Sequence, residues 1–215
     1  MPVTAGSRDA GARLPNLWTS SAPGRWRAAL DSYDDVIARQ GVARLPELDR
    51  WYRDELAATV GARQPPHVTL PELVRLTEWK MARGVWRGRN LALVRGNAAD
   101  RVVDTSTAAL AKVPHPTAPI AGLAQLAGVG PATASAVAAA VAPAIYPFFD
   151  ELVAAQIPGA GPVAFTLTYY ARYADALRER AAKLGNDWTP VMVERALWAH
   201  VGGKAGASAP GEPAG

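Results

Sequence analysis

The sequence has no cysteine. Disulfides, thiolate zinc sites, cysteine-ligated iron–sulfur clusters and a cysteine nucleophile are thereby excluded. Histidine is scarce: His67, His115 and His200 are far apart, which argues against a histidine-rich metal centre. Lysine is scarce too, with Lys80, Lys112, Lys183 and Lys204 the only four. No long apolar run survives inspection. The stretch 119–149 carries no charge, but Gly128, Gly130, Pro131, Pro143 and Pro147 interrupt it. A membrane-spanning helix needs about 20 continuous apolar residues, so buried helices of a globular core are the expectation. Residues 1–20 lack the apolar segment of a signal peptide, and a cytoplasmic protein is expected.

What is present reads as globular. The 215 residues are 49% hydrophobic and 20% charged, enough for a sizeable core in roughly one to one and a half domains. The net charge is +4, and arginine supplies most of the positive charge. Arginine grips phosphate bidentately, which fits a phosphate-bearing partner. A GC-rich coding sequence also yields such a composition.

Apolar spacing predicts an all-α fold. Residues 1–24 read as a flexible arm, 25–201 as the helical body and 202–215 as a disordered tail. Trp26 to Ile37 and Leu48 to Val60 have helical spacing. Thr69 is a good N-cap, with Pro71 early and Glu72 three residues on, for a helix ending at Gly84. Further helices are expected over 91–96, 102–112, 119–126, 131–141, 148–156 and 162–184. A last helix is expected to run through Trp198 from Asp187 or Thr189.

The most informative segment is Leu126-Ala127-Gly128-Val129-Gly130-Pro131-Ala132-Thr133-Ala134. A short apolar helix leads into two glycines flanking one apolar residue, and a second helix follows at once. The glycines permit a tight hairpin and leave its backbone bare. The N–H groups opening the second helix can then hold a phosphate, with Gly128, Val129, Gly130, Ala132 and Thr133 as candidates. The plainer reading is a glycine turn between packed helices.

Asp150 and Glu151 are the only Asp, Glu, Lys or Arg between Val113 and Ala171. They follow Tyr146-Pro-Phe-Phe at the expected start of a helix. Aromatic surroundings disfavour a charged carboxylate, whereas a helix N-terminus favours it. A catalytic acid and a simple capping pair are both open on the residues alone.

A helix-hairpin-helix followed by an Asp, one helix and loop downstream, resembles the HhH-GPD superfamily of DNA glycosylases. The resemblance covers about Pro119 to Leu152. It implies two helical subdomains with an active site in the cleft between them. It implies Asp150 as the catalytic carboxylate, with Glu151 as a possible assistant, and a target nucleotide flipped out of double-stranded DNA containing a modified base. It also implies a backbone cation site, here the carbonyls of Ala124, Leu126 and Val129, for Na+ or K+; no other cofactor is required. Bifunctional members carry a Schiff-base lysine two residues after the second hairpin glycine, where this chain has Ala132. That departure points to a monofunctional N-glycosylase, acting as a monomer in base excision repair or in removing bulky modified bases from phage DNA, in the nucleoid. Lys80 and Lys112 remain as amines of unknown placement. The rival reading is a non-enzymatic helix-hairpin-helix DNA-binding protein.

From 75 to 95 the chain carries Arg75, Lys80, Arg83, Arg87, Arg89 and Arg95 against Glu78 alone. Lys80, Arg83, Arg87 and Arg89 are candidate phosphate contacts, and Trp86 a stacking or wedge residue. Trp79 is expected in the core. A solvated basic face is the alternative for the arginines.

Overall fold

The computed structural model describes residues 16–206, and among these there is helix and no strand. Helices α1 (Pro23–Asp31), α2 (Tyr33–Ala38) and α3 (Leu45–Arg50) come first. A π-helical turn, Trp51–Leu56, joins α3 to α4 (Ala57–Gly61). Then follow α5 (Leu70–Arg83), α6 (Gly88–Arg95), α7 (Ala99–Leu110), α8 (Ala118–Leu123), α9 (Pro131–Val141), α10 (Glu151–Ala154), α11 (Leu167–Leu184) and α12 (Pro190–His200). No helix among the described residues is long and apolar enough to cross a membrane.

Two helices organise the packing. α12 lies against α1, α2, α10 and α11, while α5 lies against α3, α6, α7 and α9. Both α12 and α9 are buried nearly all round, as interior helices must be. α9 reads PATASAVAAAV, and its small side chains let α5 and α8 approach closely. α5 begins with the expected capping box, in which the Glu72 carboxylate accepts the Thr69 amide at 2.8 Å, and it ends at Gly84. Beneath α5, the buried Asp49 carboxylate accepts from the Tyr33 hydroxyl and the Trp79 indole N–H, both at 2.9 Å. Trp79 is fully buried and stacks on Tyr52 at 3.7 Å between ring centres.

Three expectations need correction. Inside the expected N-terminal arm, Leu17 is buried, the Ser20 carbonyl accepts the Trp26 indole N–H, and α1 already begins at Pro23. Leu17 and Trp26 bury enough apolar surface to fix that segment; residues 1–15 lie outside the description. At the other end, Gly203 lies buried in a short turn against Trp198; residues 207–215 lie outside the description. The helix expected over 148–156 is only α10. Residues 146–150 are extended, because side chains take up the backbone groups that a helix would use. The Tyr173 hydroxyl donates to the Phe148 carbonyl at 2.6 Å, and Tyr170 donates to that of Pro147. Ser135 Oγ accepts the Phe149 amide at 2.9 Å.

The glycine segment forms the expected turn between α8 and α9, and its two glycines do different work. Gly128 has φ +76°, in the left-handed region, and a Cβ there would meet the Asn90 carbonyl oxygen at 2.5 Å and the Val94 nitrogen at 2.9 Å. Gly130 is extended and a Cβ would meet nothing within 4 Å. Asn97 clamps the turn to α6: its Oδ1 accepts the Ala127 amide at 3.0 Å and its Nδ2 donates to the Ala127 carbonyl at 3.0 Å. Gly128→Ala is therefore expected to cost at least about 2 kcal/mol in urea denaturation, through positive φ and collision with α6. Gly130→Ala is expected to stay within about 1 kcal/mol of wild type.

Candidate functional site: a basic cavity beside the hairpin

A cavity of about 340 Å³ opens where α5, the α5–α6 loop, the start of α9 and the extended segment converge. Its lining brings together Lys80, Arg83 and Arg87, then Gly130 to Thr133, then Phe148 to Leu152, with Phe165 and Lys204 also on the wall. Of the residues expected from sequence, Asp150, Glu151, Lys80, Arg83, Arg87, Gly130, Ala132 and Thr133 share this space. Gly128, Val129, Trp86 and Arg89 lie outside its lining.

Asp150 is 8% exposed. Its position follows from three constraints. The extended segment delivers it, α10 begins immediately after it, and its Oδ1 accepts the Leu152 amide at 2.8 Å as the N-cap. Its Oδ2 faces the Arg83 Nε at 3.8 Å. The capping role and a place on the cavity wall thus belong to the same side chain. Glu151 is an exposed acid in the first turn of α10.

The backbone of the hairpin divides into used and spare donors. The Val129 amide is satisfied by the Leu126 carbonyl at 3.1 Å, which removes it as a phosphate donor and occupies one lone pair of that carbonyl. The amides of Gly130, Ala132 and Thr133 have no acceptor among the described residues. They open α9, where the helix dipole adds to their attraction for an anion. No cluster of His, Asp or Glu suited to a metal ion occurs among the described residues.

Arg83 corrects the sequence expectation most sharply. It is the last residue of α5 and 2% exposed, so no duplex phosphate reaches it. Its guanidinium forms an ion pair with Glu194 of α12 and lies over the Trp198 ring at 4.5 Å and the Phe148 ring at 5.2 Å. Glu194, which sequence reasoning missed, is 1% exposed. In sequence it stands beside Arg195 and reads as half of an ordinary charged pair on a helix. Burial pushes its carboxyl up to about 7, against the opposing pull of Arg83.

The remaining cations fall into distinct groups. Arg75 pairs with Glu47, and Arg95 with Glu78. Arg178 and Arg180 donate to the Ile145 and Trp18 carbonyls. Arg87 and Arg89 are exposed and form no ion pair among the described residues. Trp86 between them is 59% exposed and Val85 is 51% exposed. Phe165, also missed, is 44% exposed and tilts against the buried Phe149 ring at 5.2 Å.

Lys80 is part-buried on the cavity wall. Desolvation, and then the neighbouring charge of Arg87, lower its pKa, while Asp150 opposes the shift.

Glu194 generates a pH-dependence. Its folded value near 7 exceeds the ordinary carboxyl value of 4.5, so the native state binds the proton more tightly than the unfolded chain. That contribution is complete below pH 4.5 and is lost as pH rises through about 7. Glu194→Gln cannot titrate and leaves Arg83 without its direct counter-ion, so it is expected to be less stable than wild type overall but to lose less stability than wild type as pH rises from 4.5 to about 7.5. Urea denaturation of both proteins across that range checks it. Comparison with family models, with curated proteins and with solved structures returns no match.

Proposed function

We propose that this chain is a DNA N-glycosylase of the helix-hairpin-helix type, which releases a modified base from double-stranded DNA and leaves an abasic site. One observation carries the reading: the spare amides at the start of α9, the Asp150 carboxylate and unpaired basic side chains converge on a single cavity. An anion on those amides brings the neighbouring sugar to the mouth of the cavity. A carboxylate there meets the charge that develops when a glycosidic bond breaks.

The duplex lies across the hairpin and the α5–α6 loop, with Arg87 and Arg89 on phosphates. Trp86 and Val85 present apolar surface that fills the gap left by an extruded nucleotide. The flipped base enters against Phe148, Phe149 and Phe165. The C1′–N bond then breaks with its electron pair leaving on the base. Asp150 stabilises the oxocarbenium-like sugar and accepts a proton from the water that adds to C1′. Ala132 offers no amine at the hairpin, which favours hydrolytic release. The small side chains of Gly130 and Ala132 leave room for a bulky base, so oxidised, alkylated, deaminated and hypermodified bases are all substrates to test. On this reading the protein works on DNA in the nucleoid, as a monomer, in repair or in defence against phage DNA. No cofactor is needed, and a monovalent cation on the carbonyls of Ala124, Leu126 and Val129 would have a purely structural role.

The capping bond from Asp150 to Leu152 favours a second reading, a DNA-binding module without catalysis. The two separate on one experiment: base release from a panel of modified duplexes, phage genomic DNA included, by wild type and Asp150→Asn. The expected result is alkali-revealed abasic sites with wild type, a loss of about 10²- to 10⁴-fold with the variant, and salt-dependent duplex binding retained by both. Binding by both and release by neither across the panel would leave only the binding module.

A further inference from the structure

The Arg83 guanidinium is one cation between two carboxylates, and it is fully engaged with only one of them. Its Nη2 donates to Glu194 Oε1. Its buried Nε has no hydrogen-bond partner and stands 3.8 Å from Asp150 Oδ2, beyond hydrogen-bond reach. Asp150 Oδ1 accepts the Leu152 amide, so Oδ2 is the oxygen left for the cavity. Resting on the glycosylase reading of this cavity, we infer that Arg83 is a positioning residue for Asp150, and that Glu194 sets how much of the Arg83 charge Asp150 receives.

The competition has a definite sign. With Glu194 ionised, the guanidinium is neutralised on the α12 side and Asp150 Oδ2 keeps its place toward the sugar. With Glu194 protonated, Asp150 is the carboxylate left to meet the buried cation, since Asp49 is held by Arg53. An uncompensated charge in a low-dielectric interior then draws Oδ2 across the gap to Nε. A carboxylate bonded there is withdrawn from the charge developing at C1′ and is a weaker base toward water. Because burial pushes Glu194 up to about 7, the two arrangements exchange near neutral pH.

The groups around Glu194 do not supply that titration. Tyr33 of α2, Tyr52 of the π-helical turn and Tyr173 of α11 interact with it, and burial holds all three phenols above their ordinary value. Arg195, the next residue of α12, adds a second cation. Farther out, Arg25, Arg27 and Asp31 of α1 are exposed or half-buried, and Glu151 of α10 and Lys204 are exposed. His200 ends α12 and is the one neighbour whose ordinary range overlaps, so it is tested directly.

The first measurement uses the free protein and needs no DNA. The Asp150 and Glu194 carboxyls and the Leu152 amide are followed by NMR across neutral pH in wild type, Glu194→Gln and His200→Gln. All three wild-type signals should move with one midpoint, the step should vanish in Glu194→Gln, and it should persist in His200→Gln. If Glu194→Gln fails to fold, the shared midpoint in wild type and its survival in His200→Gln decide the matter. A Glu194 titration that leaves Asp150 and Leu152 unmoved, or a step abolished by His200→Gln, overturns the inference. The second measurement is base release on a duplex that scores in the panel. Wild-type kcat should rise at least about fivefold from about pH 6 to about pH 8 with KM unchanged, and Glu194→Gln should stay flat at the low-pH level. A profile that ignores the substitution, or an effect confined to KM, also overturns it. The underlying reading fails separately: a shared midpoint without base release from any duplex supports the coupling and retires the glycosylase, whereas base release without a shared midpoint retires the coupling alone.

Discussion

A guanidinium buried among aromatic rings is costly unless its charge is met, and the Arg83 group is met on two sides. Glu194 of α12 pairs with it directly and Asp150 faces its Nε. Trp198 and Phe148 supply ring faces. This one side chain therefore joins the end of α5, the middle of α12 and the extended segment that leads into α10. Removing one partner of such a group leaves an uncompensated charge in a low-dielectric interior. The cavity wall inherits its shape from that requirement, because α5 must end where its last arginine can reach α12.

The same logic explains why the extended segment is not helical. Its Pro147 and Phe148 carbonyls are taken by tyrosine hydroxyls of α11, and its Phe149 amide by a serine of α9. Helix formation there would have to replace long-range bonds with local ones while unburying Phe148 and Phe149. Tertiary contacts override local propensity, and Asp150 emerges at the cavity as a result.

What was legible in the sequence was whatever is decided locally. Thr69, Glu72 and Gly84 bound α5 because capping acts over a few residues. Pro131 starts α9 and the all-helical class follows from apolar spacing. The place of Asp150 beside the hairpin was expected only from the resemblance to helix-hairpin-helix glycosylases, since the residues alone left a capping pair equally open. Arg83 was not, since its partner lies 111 positions away, and in sequence it is one more arginine in a basic run. Glu194 and Phe165 escaped for the same reason: nothing within a turn of either discloses what it faces. Asn97 escaped because its partner, Ala127, contributes only backbone.

The contact between Gly128 and α6 has a mechanical consequence. With backbone against backbone at that point and Asn97 bonded to both groups of Ala127, the hairpin has little freedom to shift relative to the helix that follows the basic loop. Its spare amides and the Arg87–Arg89 segment act as one stiff template. On the proposed reading, such a template does not mould itself to a duplex, so the distortion needed to extrude a nucleotide falls on the DNA. Lesions that weaken stacking or pairing lower that cost. Discrimination would then begin in the stiffness of the helix being searched, before any base reaches the cavity.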